Sequence, residues 1–136
     1  MRNRDKKEKK CLYCDSLIPN RNIYCDNKCQ KKYEKNEVFN LLLEGNFDEL
    51  GSKQNIDRVS KQYLIHIHGD NCMECGWSVI NEWTNKVPIE LNHIDGNPEN
   101  HSLDNLELLC PNCHSLTQFY KSRGKGRKWR KTIFVK

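Results

Sequence analysis

Hydrophobic residues in this 136-residue chain fall in short groups, each with its own period, separated by polar stretches. Val38, Leu41 and Leu42 lie at i, i+3 and i+4, which predicts a helix from about Lys28 that stops at Gly45 and Asn46. The segment from Gly45 to Asn55 is polar and turn-rich and reads as a linker. Ile56, Val59, Tyr63 and Ile67 then keep one face of a second helix, Ile56 to His68, which Gly69 terminates. From Val87 to His93 the period changes to two, with Ile89 and Leu91 alternating against Glu90 and Asn92, as in a strand. Asp95-Gly96-Asn97-Pro98 reads as a turn, Leu106 to Leu109 as a second strand, and Pro111 as the first position of a helix running to about Tyr120.

No apolar run approaches the roughly 18 residues that span a bilayer, and MRNRDKKEKK lacks the apolar core of a signal peptide. The expectation is a protein without membrane contact, resident in a reducing interior. With 36% hydrophobic and 30% charged residues, apolar burial is a weak source of stability for a chain this short. Eight cysteines offer another source. Cys11, Cys14, Cys25 and Cys29 are spaced C-x2-C-x10-C-x3-C, and Cys72, Cys75, Cys110 and Cys113 are spaced C-x2-C-x34-C-x2-C. Paired thiols in a reducing compartment point to two structural zinc sites, one folding an N-terminal knuckle and the other closing the loop that carries the two strands.

The net charge of +5 is unevenly distributed. Residues 1–10 hold six basic and two acidic side chains and residues 121–136 hold eight basic and none acidic, so the tails carry +12 and the remainder −7. These tails are handles for a polyanion. Lys121, Arg123, Lys125, Arg127, Lys128 and Arg130 follow the last helix as candidate phosphate contacts, with Gly124 and Gly126 keeping the run flexible.

Three readings compete for Cys110 to His114. The C-x-x-C-H spacing is that of c-type haem attachment, but a second Cys-x-x-Cys claims the thiols and Met73 is the only internal methionine for a distal ligand. An inert zinc ribbon that binds nucleic acid accounts for the cysteines and leaves His93, Asn105 and His114 incidental. The third reading uses them. A helical residue turns about 100° from its neighbour, so His114 points away from the thiolate site, with Gln118 at i+4 as a further candidate ligand on that face. His66 and His68 lie two apart on their helix and read as ordinary histidines, as does His101 in its polar loop.

Asn92-His93-Ile94-Asp95-Gly96-Asn97, followed by Asp104-Asn105-Leu106-Glu107-Leu108-Leu109-Cys110-Pro111-Asn112-Cys113-His114, resembles the HNH endonuclease family in its small zinc-containing form, common in phages and mobile elements. The resemblance covers about residues 56–130. It implies an α+β, zinc-stabilised fold with a ββα-metal nuclease core at 56–122; charge and cysteine spacing add a basic tail (1–10), a four-cysteine zinc knuckle plus helix (11–46) outside the core motif, connecting helices, and a second basic tail (123–136). It also implies a metal-dependent DNA endonuclease or nickase, acting on double-stranded DNA as monomer or homodimer in a bacterial host's cytoplasm, with 5′ phosphate and 3′ hydroxyl products. In that mechanism His93 is the general base, His114 a ligand of one catalytic divalent ion (Mg, Mn or Ni), and Asn105 the residue that keeps His93 oriented. The residue before the base is often Asp or His in this family and ligates the metal; here it is Asn92, an uncharged oxygen ligand. The expectation is that the substrate phosphate is the only anion at the metal, and that metal affinity without DNA is weak.

Overall fold

The computed structural model describes residues 8–122, so Arg123, Lys125, Arg127, Lys128 and Arg130 lie outside the described residues. Contacts divide the chain into two units with the boundary between Gln54 and Asn55.

In the first unit β1 (Glu8–Lys10) pairs antiparallel with β2 (Leu17–Pro19), Lys9 opposite Ile18. Residues 8–10 are therefore strand rather than free tail. Helix α1 spans Asn27–Leu43 and is capped by Asp26, whose side chain accepts from the Cys29 amide at 2.8 Å. Gly45, at φ +70°, turns the chain out of it. The expected linker instead contains α2 (Phe47–Lys53), which packs on α1 through the fully buried Leu50. Seven residues are too few to show a helical period. Local signals suffice: Asn46 caps the Glu49 amide, Asp48 and Glu49 occupy the first turn, and Lys53 meets Glu49 at 2.7 Å.

The second unit opens with α3 (Ile56–His68), capped by Asn55 and ended by Gly69 at φ +86°. Its buried residues are Val59, Ser60 and Leu64, while Ile67 is 49% exposed, so the helix is rotated from the face that its apolar spacing predicts. That rotation turns Lys61 toward the sheet, where its Nζ donates to the Ile89 carbonyl at 2.5 Å. Asp57, one turn earlier, lies on the same side.

β3 (Glu90–His93) pairs antiparallel with β4 (Leu106–Leu109): Glu90 opposite Leu109, Leu91 opposite Leu108, Asn92 opposite Glu107, His93 opposite Leu106. β3 starts later than the alternation predicts, because Pro88 has no donor and the Ile89 amide turns back to Val87 O at 2.9 Å. The pleat gives the hairpin two faces. Leu91, Leu106 and Leu108 join Leu64, Val87 and Ile89 in a core against α3. Leu109 joins Cys72 and Cys110 in a second cluster that partly buries Trp77 and Cys113. Helix α4 spans only Pro111–Ser115, not to Tyr120. The Ser115 and Thr117 hydroxyls donate to Asn112 O and His114 O, competing with the helical ladder, and the chain turns at Leu116.

Candidate nuclease site and metal-binding clusters

The cysteines gather as their spacing predicts. Sγ atoms of Cys11, Cys14, Cys25 and Cys29, and of Cys72, Cys75, Cys110 and Cys113, lie within 4.8 Å of one another in each set, and all eight thiols are free. A tetrahedral zinc with sulfur bonds of about 2.3 Å separates its sulfurs by about 3.8 Å; Cys75 and Cys110 stand 3.9 Å apart and Cys14 and Cys25 3.3 Å. Burial pushes the Cys11 thiol up, but the amides of Cys14, Tyr13 and Cys25 outweigh it and leave the group lowered to about 6. Cys72 follows the same course to about 6, burial being opposed by the amides of Cys110, Cys75 and Glu74. The companion thiol Cys25, hydrogen-bonded to Cys14, rises to about 11. Each set thus contains a thiol poised to be thiolate at neutral pH, the form that binds metal.

The second cluster does more than clamp a loop. Met73 N bonds Leu108 O at 2.8 Å, which ties the knuckle to β4, and Cys72 N bonds Trp77 O at 2.9 Å within the knuckle. Cys110 caps α4 by accepting from Cys113 N at 3.4 Å. α4 is thereby held against the hairpin face that carries Glu90, Asn92 and Glu107.

On that face the His114 Nδ1 meets the Glu90 carboxylate, and its ring stands edge-on to Tyr120 with centroids 5.1 Å apart. Asn92 is buried and donates from Nδ2 to Glu107 Oε1 at 2.8 Å, leaving its Oδ1 for other partners. Two carboxylates therefore accompany Asn92 and His114. Beyond Asn92 and His114, the two ligands expected from the sequence, this face thus places one carboxylate two residues away on the strand and one directly across it. Gln118, although at i+4, does not share a helical face with His114, since α4 ends at Ser115.

His93 points the other way. Its Nε2 lies 3.6 Å from Asp57 Oδ1, and His101 Nδ1 lies 3.2 Å from the same oxygen, with the two rings edge-on at 5.9 Å. His101 is thus part of a cluster rather than an ordinary loop histidine. The turn that follows His93 is gripped by Asn105: its Oδ1 accepts from Asp95 N at 3.0 Å, and its Nδ2 donates to Asp95 Oδ1 at 2.9 Å and Asn100 O at 3.0 Å. Ile94 N bonds Asn105 O at 2.8 Å. Gly96 completes the turn at φ +73°, where an added Cβ would lie 2.4 Å from the Phe119 ring. His66 and His68 are exposed on α3.

Asp57, His101, Glu90 and Glu107 carry no spacing signal of their own. Glu90 and Glu107 follow from the pleat once the register is known. Asp57 and His101 become visible only when α3 is laid on the sheet.

Residues 72–118 match the family model for the HNH endonuclease. At the level of single proteins the chain is similar to the H-N-H endonuclease F-TflIV of Escherichia phage T5. The two are 44% identical over 63 residues, which is 46% of this chain and 26% of that protein. The chain thus spans about a quarter of that relative's length. No solved structure matches. Among the described residues no helix is long and apolar enough to cross a membrane.

Proposed function

We propose that the second unit is a ββα-metal nuclease that hydrolyses DNA phosphodiester bonds, using β3, β4 and α4 as its core, and that the chain holds two structural zinc ions, one in each cysteine set. The observation that carries this reading is the Asn105 clasp: the HNH match coincides with a turn in which Asn105 grips the Asp95 amide and carboxylate and the Asn100 carbonyl, holding the loop that follows His93. His93 is the general base. With Nε2 facing the Asp57 carboxylate at 3.6 Å, the neutral ring keeps its proton there, and Nδ1 takes the proton from the attacking water. The distance is too long for a hydrogen bond but close enough to bias the tautomer.

His114, Glu90, Asn92 Oδ1 and Glu107 present one nitrogen and several oxygens on the α4 face, a donor set that fits a hard divalent ion. Such an ion, when bound, neutralises charge on the scissile phosphate and the leaving 3′ oxygen. Lys121 and the cations that follow it bind flanking phosphates of the duplex, positioning it without reading sequence. One site per chain favours nicking by a monomer. A homodimer would pair two sites and cut both strands. The resemblance to a phage enzyme supports a phage or mobile-element origin.

The test is supercoiled plasmid incubated with magnesium, manganese or nickel. Wild type is expected to relax or linearise it, and His93→Ala to leave it intact. Folded wild-type protein that fails with all three ions refutes the nuclease reading. Cleavage by His93→Ala at the wild-type rate refutes the base assignment alone.

A further inference from the structure

We propose that Asp57, His93 and His101 form a third metal site, distinct from the cysteine sets and from the His114 face, which takes a borderline transition ion such as zinc or cobalt and switches His93 off as a base. The inhibitory half rests on the base assignment above; the binding half does not.

The geometry fits the ion. Asp57 Oδ1, His93 Nε2 and a ring nitrogen of His101 all lie within 4.8 Å of one another. Nitrogen or oxygen ligands about 2.0–2.1 Å from a tetrahedral zinc stand about 3.3 Å apart; the two distances to Asp57 Oδ1 are 3.2 and 3.6 Å. Asp57 Oδ1 and His93 Nε2 are shut off from solvent and neither takes part in a hydrogen bond among the described residues. A buried acceptor and a buried ring nitrogen left so are costly, and one cation between them satisfies both.

The three side chains also come from separately anchored elements. Asp57 sits in the first turn of α3, which Asn55 caps and Lys61 pins to β3. His93 ends β3, and the backbone of Asn100, next to His101, is held by Asn105. Two imidazoles and one carboxylate favour a borderline transition ion over magnesium, which prefers oxygen and gives up water reluctantly.

Occupancy has a consequence for the base. A neutral imidazole that binds metal through Nε2 carries its proton on Nδ1, so neither nitrogen has a lone pair for water. The ion and the attacking water cannot both use His93.

The experiment uses the full chain with both cysteine sets filled by zinc, dialysed against cobalt in excess magnesium, with metal content and visible absorption as readouts. One further cobalt per chain is expected, with weak d–d bands and no near-ultraviolet thiolate-to-cobalt band. His101→Gln and Asp57→Asn should weaken this binding at least about tenfold while keeping their thiolate-bound zinc, and His114→Ala should retain it. Absence of the further ion in wild type overturns the site. So does binding that survives in both triad variants and disappears in His114→Ala.

Magnesium-supported cleavage is then measured with and without added zinc, each protein against its own zinc-free rate. Wild type should slow by about tenfold or more, and His101→Gln should slow far less. Equal inhibition of the two overturns the switch. Cobalt bound at the triad with cleavage unaffected also overturns the switch and traces the failure to the base assignment, leaving the site intact.

Discussion

The two faces of the β3–β4 hairpin carry the same chemical groups, histidine and carboxylate, into opposite surroundings. Toward α3, His93 is 13% exposed and stands beside Asp57, His101 and the apolar core of Leu106 and Leu108. Toward α4, Glu90 is 53% exposed beside His114, and Glu107 meets Asn92 across the strands. A single peptide step, Asn92 to His93, separates these environments because successive strand residues alternate. A proton acceptor needs its tautomer fixed, which the enclosed side provides. A hard cation needs oxygen donors open to a polyanionic substrate, which the open side provides. In the proposed reading the base and the metal donors therefore stay separate although their residues are neighbours in sequence.

The largest expected effect removes both faces together. Cys110 joins β4 to α4 and caps the helix. Zinc bound by four thiolates contributes free energy on the order of 10 kcal/mol, comparable with the whole stability of a small domain, roughly 5–15 kcal/mol. Cys110→Ser should therefore abolish both cleavage and cooperative melting of the second unit, read by circular dichroism and metal content. A variant that melts cooperatively at the wild-type temperature would show that the hairpin stands without its clamp.

Next come substitutions that separate the faces. His93→Ala should lower the cleavage rate by about 10²- to 10⁴-fold at saturating metal, with the magnesium requirement unmoved. His114→Ala should raise the magnesium concentration for half-maximal rate by about tenfold or more. Steady-state cleavage across a magnesium titration distinguishes them, and a reversal of the two patterns would invert the roles assigned to the faces.

Much of this arrangement is legible in the chain, and the parts that are not share a cause. β4 emerges at Leu106–Leu109 and α3 at Ile56–His68 because apolar period and boundary signals, including Gly69, agree there. The cysteine sets are legible because ligand spacing is a local property. α2 escapes a reading by period because a seven-residue helix with one buried leucine has none to show. α4 stops short of the expected Tyr120 because the Ser115 and Thr117 hydroxyls take backbone carbonyls, a competition that the start signal at Pro111 does not register. Asp57 and His101 are invisible in the sequence because they meet His93 only after the helix packs on the sheet, rotated from its apolar prediction.

A smaller effect is expected at the turn that leaves the hairpin. Gly96 adopts φ +73° and its missing Cβ leaves room for Phe119. Gly96→Ala would cost roughly 1–2 kcal/mol for the left-handed backbone and more for the displaced ring. For a domain of this size that lowers the melting temperature by about 4–8 °C per kcal/mol. Cleavage should fall further than stability explains, since the turn sets His93. Equal losses in Gly96→Ala and a stability-matched surface variant would separate the turn from the base.

The smallest effect is electrostatic and lies in the same turn. Donation from Asn100 Nδ2 at 2.8 Å, then from the Asn97 amide and Asn105, holds the Asp95 carboxyl below its ordinary value of 3.8. A carboxyl whose folded pKa is depressed adds stability that is fully present above its unfolded pKa and is lost as pH falls through the folded one. The contribution should therefore be constant at neutral pH and disappear only below about pH 4. Asp95→Asn keeps an oxygen acceptor for Asn97 but removes the charge, so the variant should be less stable than wild type at pH 7, and the gap should close in acid. Denaturant unfolding at several pH values from about 7 to about 3, spanning the carboxylate range, measures it. A gap that persists unchanged in acid would mean that the turn is held by hydrogen-bond shape alone and that the carboxylate charge contributes nothing to how His93 is presented.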